Sequence, residues 1–135
     1  MENIFSSLLL TEDALRVDPS GIAVDIRLPW YRSLPLSVVD VPRLAIADTE
    51  IARQEVLFEV NGKRFALDGL GDLTGEFWFV LDRAVLRAKV PGLKTGERYA
   101  VELQLDLYPP YIPHLKWVTR SKRLLLAGHG TQEHR

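Results

Sequence analysis

The chain of 135 residues contains no cysteine, which excludes disulfide staples and thiolate metal centres. It also lacks a charge of one sign: 17 basic against 18 acidic side chains leave a formal net charge of −1. A sequence-independent nucleic-acid binder needs a cationic footprint, so nucleic acid is not an expected partner. Long apolar runs are missing as well, and no stretch approaches the roughly 20 residues of a membrane helix. The opening MENIFSSLLLTED carries an acidic residue and only a short apolar run, unlike a secretory signal. Neither Asn3 nor Asn61 lies in a glycosylation sequon. These absences make a cytoplasmic protein without a membrane partner the expectation. What remains, 47% hydrophobic and 26% charged residues, suits one globular domain with a real core.

Helix periodicity is scarce, whereas a period of two recurs almost throughout. Ile22, Val24, Ile26 and Leu28 alternate with Ala23, Asp25 and Arg27. Val101, Leu103, Leu105 and Leu107 alternate with Glu102, Gln104 and Asp106, which places the three polar residues on the other face. Val56, Phe58 and Val60 do the same against Leu57 and Glu59, and Leu86, Ala88 and Val90 against Arg87 and Lys89. Asn61-Gly62 suits positive φ at both central positions of a type I′ turn, so a hairpin is expected there, with Phe65 and Leu67 resuming the pattern. Leu8–Leu10 and Leu15–Val17 read as short early strands, and Leu124 and Leu126 mark a last one. The run Phe77-Trp78-Phe79-Val80-Leu81, apolar on both faces, reads as central or packed under a loop. Any helix is expected to be a single turn, near 67–73 or within 33–40.

Spaced strands with Gly and Pro punctuation indicate an all-β fold, an antiparallel Greek-key β-sandwich of immunoglobulin or fibronectin III type, over residues 1–127. In LKTGERY, Tyr99 stands where such sandwiches place the tyrosine of their corner, whose phenol bonds backbone a few residues upstream. After Ala127 the polar GHGTQEHR, 128–135, reads as a frayed tail.

Catalytic signatures are missing. There is no G-x-S-x-G elbow, and the glycines of GLGDLTG lack the lysine and helix of a phosphate loop. Asp68, Asp72 and Glu76 miss the EF-hand spacing, and His114, His129 and His134 stand at no metal-ligand spacing. No residue is nominated as catalytic or as a metal ligand.

Two loops are unlike ordinary solvated connections. Pro29 ends the strand of residues 22–28, and Trp30, Tyr31, Arg32, Leu34 and Pro35 follow at once. Such side chains anchor contacts with a partner or ligand, or fold back over an open end of their own core. After the longest strand comes YPPYIPHLKW, with Tyr108, Tyr111, His114 and Trp117 among three prolines. The prolines fix φ before binding and lower the entropy lost on docking. Loops of a sandwich gather at its two ends, so the two stretches are expected to share one and form a stiff aromatic and basic patch for a permanent partner.

The run IRLPWYRSLPLS, then LFEVNGKRFAL, VPGLKTGERYAVELQL and YPPYIPHLKW, resembles the small (β) subunit of bacterial C-glycoside deglycosidases. The likeness covers roughly residues 9–126, is sharpest over 28–37, and departs at Trp30, where a second tyrosine is frequent. It implies a two-subunit carbon–carbon lyase. The larger α subunit, a TIM barrel, carries a divalent metal, manganese, and the catalytic histidine; this chain binds no cofactor. The implied substrates are aryl C-glucosides, such as flavone C-glucosides, already oxidised to the 3-keto sugar. A ketone at C3 acidifies the proton on C2, so the aglycone leaves C1 by elimination and an anhydro-keto sugar remains. The resemblance gives this chain a docking and site-shaping role through Trp30, Tyr31, Arg32, Leu34, Tyr108, Tyr111, His114 and Trp117. Arg32 suits either a carboxylate of the α chain or a flavonoid hydroxyl. A stand-alone immunoglobulin-like module binding carbohydrate or protein is the alternative.

Overall fold

A computed structural model of the chain describes residues 6–130. It is all-β apart from one helical turn, α1 (Ser6–Leu9), and three 3-10 turns at Leu36–Val38, Arg53–Glu55 and Leu67–Asp72. The strands are β1 (Leu15–Asp18), β2 (Gly21–Arg27), β3 (Leu34–Pro35), β4 (Val39–Ile46), β5 (Thr49–Glu50), β6 (Leu57–Val60), β7 (Lys63–Ala66), β8 (Phe77–Trp78), β9 (Arg83–Ala88), β10 (Arg98–Leu107), β11 (Trp117–Leu126) and β12 (Gly128–His129). One sheet has the order β12-β1-β2-β9-β6-β7, a second β11-β10-β4-β5, and a two-stranded piece pairs β3 with β8. Every pairing is antiparallel except that of β1 with β12.

The inward-facing sets of β2, β6 and β10 behave as their period requires, while Ala23 and Asp106 on the opposite face are buried as well. Val24, Ile26, Phe58, Val60, Val101, Leu103 and Leu105 join one core fed by both large sheets. Burying such side chains contributes about 1.5–3 kcal/mol each, which is why the register holds: a one-residue slip would turn every one of them outward. The outer faces carry cross-strand ion pairs instead. Arg16 and Arg83 flank Asp25, Arg64 and Arg87 flank Glu59, and Arg43 joins Glu50 to Glu102.

Turns are set by local chemistry. Asn61 (φ 56°) and Gly62 (φ 74°) both lie in the left-handed region between the paired Val60 and Lys63, and Asn61 Nδ2 donates to Phe77 O at 2.8 Å. Asp18 accepts from the N–H groups of Ser20 and Gly21, and Gly21 (φ 146°) has no room for a Cβ, which would meet Ala88 O at 2.2 Å. The Tyr99 hydroxyl accepts the Lys94 N–H at 2.9 Å, tying the start of β10 to the preceding turn.

Four expectations are corrected. Residues Leu8–Leu10 do not form a strand: Ser6–Leu9 is helical, with Leu9 and Leu10 buried and Leu8 exposed. The last long strand exists, but with the opposite phase, since Leu125 is buried and Leu124 and Leu126 face solvent. The tail does not fray at Gly128: Gly128–His129 is β12, and Gly130 N–H donates to Val17 O at 2.7 Å. The rest of that expected tail, 131–135 with His134, lies outside the described residues. Finally, the apolar run 77–81 is not central, because only Trp78 is buried in it.

Glu59 is the carboxylate whose environment bears most directly on folding. Burial pushes its pKa up, but hydrogen bonds and charge from Arg87 and Arg64 outweigh that and hold it below the ordinary 4.5. A depressed folded-state pKa stabilises the fold fully above the unfolded value and loses that contribution as pH falls through the folded one. Glu59→Gln is therefore expected to make the loss of stability below pH 4.5 shallower, read as urea midpoints across a pH series. A variant with the wild-type acid slope would remove Glu59 from the account.

Candidate functional site

The strand β2 delivers Pro29 and Trp30 to the same end of the molecule at which β10 stops and β11 begins. There the two unusual loops meet. Trp30 Nε1 donates to the Tyr111 hydroxyl at 2.6 Å, and Trp117 Nε1 donates to Pro29 O at 3.1 Å. The Trp30 ring stands edge-on to Trp117 with centroids 5.2 Å apart, and 5.0 Å from Tyr31. The Arg32 guanidinium lies 4.8 Å from the Tyr111 ring centroid, within cation–π range. Two indole donors and two ring contacts, Trp30 with Trp117 and Arg32 with Tyr111, thus lock loops whose bonded residues are 81 and 88 apart in sequence.

The second loop is built from two successive turns. Ile112 N–H donates to Pro109 O and Leu115 N–H to Ile112 O, so Pro110 and Pro113 each occupy the first central position. His114 follows Pro113 with φ 65°. Proline first and positive φ second is the type II pattern, which glycine or asparagine fills most easily. An imidazole held there stands out at the surface at a small backbone cost. Lys116 reaches the Asp106 carboxylate at 3.5 Å, and Gln104 Nε2 donates to the same carboxylate at 3.0 Å. Asp106, placed on the solvated face by its period, is only 2% exposed. A buried carboxylate needs such partners; Lys116 staples the loop to β10, and Gln104 serves Asp106 from within the strand.

The eight candidate residues divide into three groups by exposure. Tyr31 (61% exposed), Arg32, Tyr108, Tyr111 and His114 are on the surface. Trp117 is half-buried and opens β11, so it belongs to the strand as well as the loop. Trp30 is only 7% exposed and is a post beneath the surface, not an accessible anchor. Leu34 is corrected outright: it is fully buried, pairs with Trp78 across β3 and β8, and lines no outer surface. A short apolar residue next to a partner strand gains more by joining the core than by facing water.

Sequence reasoning missed a third contributor to this end. Ser33 Oγ accepts the Val80 N–H at 2.9 Å, bringing the turn after β8 alongside the first loop. Phe77, Phe79, Val80 and Leu81 are all exposed there. At the far end, around the β1–β2 turn, lies a separate cleft of about 880 Å³ lined by Ile22, Leu57, Arg64, Lys89 and His129 among others.

Among the described residues, no group of three or more His, Asp or Glu is placed to hold a metal ion. Arg32 has no carboxylate within ion-pair range among them either. No helix among them is long and apolar enough to cross a membrane. The structure thus defines a small all-β protein with an aromatic end cross-linked between two loops and a separate cleft at the opposite end. The family described as C-glycoside deglycosidase beta subunit matches residues 9–111, and the chain belongs to that family. It is 35% identical over 111 residues to a 3'-dehydrocarminate deglycosidase beta subunit from Microbacterium sp, covering 82% of this chain and 83% of the relative. It is 35% identical over 104 residues to a C-glycoside deglycosidase beta subunit from Microbacterium trichothecenolyticum, covering 77% and 79%. A third relative of that name, from Arthrobacter globiformis, is 36% identical over 90 residues, covering 67% and 69%. The chain is therefore a subunit of a heteromeric deglycosidase.

Proposed function

We propose that this chain is the non-catalytic β subunit of a cytoplasmic carbon–carbon lyase that cleaves 3-keto aryl C-glucosides. In this reading it docks by its aromatic end on a TIM-barrel α subunit, which holds the divalent metal and the catalytic groups, and helps to shape the site. The observation that carries the reading is the convergence of the two loops through Trp30, Tyr111 and Trp117. A surface ordered in advance loses little entropy on association. The ion-paired outer faces would instead have to be desolvated. The name of one relative, a 3'-dehydrocarminate deglycosidase beta subunit, supports a substrate oxidised at the 3′ position. The scaffold reading is an immunoglobulin-like Greek key. The orders β1-β2-β9-β6 and β4-β10-β11 follow the ABED and CFG arrangement, with Tyr99 at the corner.

Two measurements test this. Tyr31→Ala and Arg32→Ala are each expected to weaken association with the α subunit by about 1–3 kcal/mol, while unfolding of the isolated chain stays within about 0.5 kcal/mol of wild type. Subunits added separately and together to a 3-keto C-glucoside are expected to release aglycone only when the α subunit is present. Release by this chain alone would overturn the division of labour. Wild-type association of both variants, with a monomer retarded on a sugar column, would favour a stand-alone binding module.

A further inference from the structure

We propose that the turn 79–82 is the apolar plug by which this chain enters a hydrophobic pocket of the larger subunit; the inference rests on the docking role proposed above. The turn is closed by Asp82 N–H donating to Phe79 O at 2.9 Å, and Val80 and Leu81 occupy its central positions. It is held from three sides. Trp78 Nε1 donates to Asp82 O at 2.8 Å, Val80 N–H donates to Ser33 Oγ, and the Phe79 ring stacks on Phe77 with centroids 6.3 Å apart. On this rigid mount Leu81 is 87% exposed, and Phe79 and Val80 also face solvent.

Scattered exposed apolar residues need no explanation, but consecutive ones on a fixed protruding turn mark a contact site. A flexible loop would fold such residues inward; here the hydrogen bonds forbid it. The occupant follows from the family. Its members are named as beta subunits, so a second kind of chain is present in the complex. The plug is continuous with Tyr31 and Arg32 through Ser33, so one partner surface covers both. Central, fully desolvated apolar anchors ringed by polar contacts dominate such interfaces. Leu81 is that anchor, with Arg32 on its rim.

Leu81→Asp is expected to lower affinity for the purified α subunit by about tenfold to a hundredfold, measured by titration calorimetry. Leu81→Met should bind within about threefold of wild type, since the replacement is a similar apolar volume. At so exposed a position the unfolding midpoint of the isolated chain should not move. Wild-type affinity for Leu81→Asp beside weakened Tyr31→Ala would overturn the plug and leave the docking role standing. Wild-type affinity for both would overturn the two together. If Leu81→Asp instead turned a dimer of the isolated chain into a monomer and left α-subunit affinity unchanged, the turn would seat a second copy and this assignment would fall.

Discussion

Replacing Trp78 by alanine is expected to cost about 3–5 kcal/mol of folding stability, a large share of the 5–15 kcal/mol typical of a whole domain. Trp78 is fully buried and stands edge-on to Phe58 with centroids 5.4 Å apart. Across the β3–β8 pair it faces Leu34. Its removal leaves a cavity that β3 and β8, two residues each, are too short to close. Trp78→Phe separates packing from hydrogen bonding. The ring still fills most of the site, but the Asp82 carbonyl loses its indole donor. The expected cost is then about 1–3 kcal/mol. The two variants should also differ from wild type in function, because that same donor fixes the 79–82 turn. Urea unfolding of the isolated chain checks the first part, and titration with the α subunit checks the second. A Trp78→Ala loss below about 1.5 kcal/mol would show that this indole is not a post of the core.

The parts of the fold that could be read from the chain are those where one face is wet and one dry. In 22–28 and 101–107 the alternation picks out the set that the core accepts, although Ala23 and Asp106, on the other face by period, are buried too. The Asn61-Gly62 turn was equally legible, because few other dipeptides tolerate two positive φ values in succession. Runs without alternation carry no such information. Three leucines at 124–126 do not say which one is buried, and the structure chooses Leu125. The Leu8–Leu10 run is likewise silent between strand and helix. The run 77–81 misled for the same reason: continuous apolarity signals burial on average, yet here the strand stops after two residues and the chain turns outward. Composition marked the two aromatic loops as unusual, and their sharing of one end was open to inference from sandwich topology. It could not reveal that Trp30 and Leu34 would sink below the surface, since that depends on contacts with Trp117 and Trp78 far away in sequence. The short parallel strand β12 is invisible for the same reason, as two residues have no period to read.

Trp30→Ala should produce the second large effect, and on both measurable properties at once. The indole is buried beneath the aromatic end and touches Tyr31, Tyr111 and Trp117 together. Truncation is expected to cost about 3–5 kcal/mol of stability and, by freeing both loops, to reduce association with the α subunit beyond what Tyr31→Ala achieves. A stability loss alone would not distinguish a lock between loops from ordinary packing. A double-mutant cycle does. Trp30→Phe removes the donor and Tyr111→Phe removes the acceptor of one hydrogen bond, each leaving a ring in place. If that bond couples the loops, the two changes should be non-additive by about 0.5–1.5 kcal/mol. Tyr111 is exposed enough for its hydroxyl to bond water once the indole N–H is gone, so Trp30→Phe should be the milder single change on this account. Additivity within about 0.3 kcal/mol would mean that this hydrogen bond does not couple the loops and that the link rests on Trp117 and Arg32 instead. In that case the losses of association on removing Tyr31 and Tyr111 in turn should simply add, whatever the size of each.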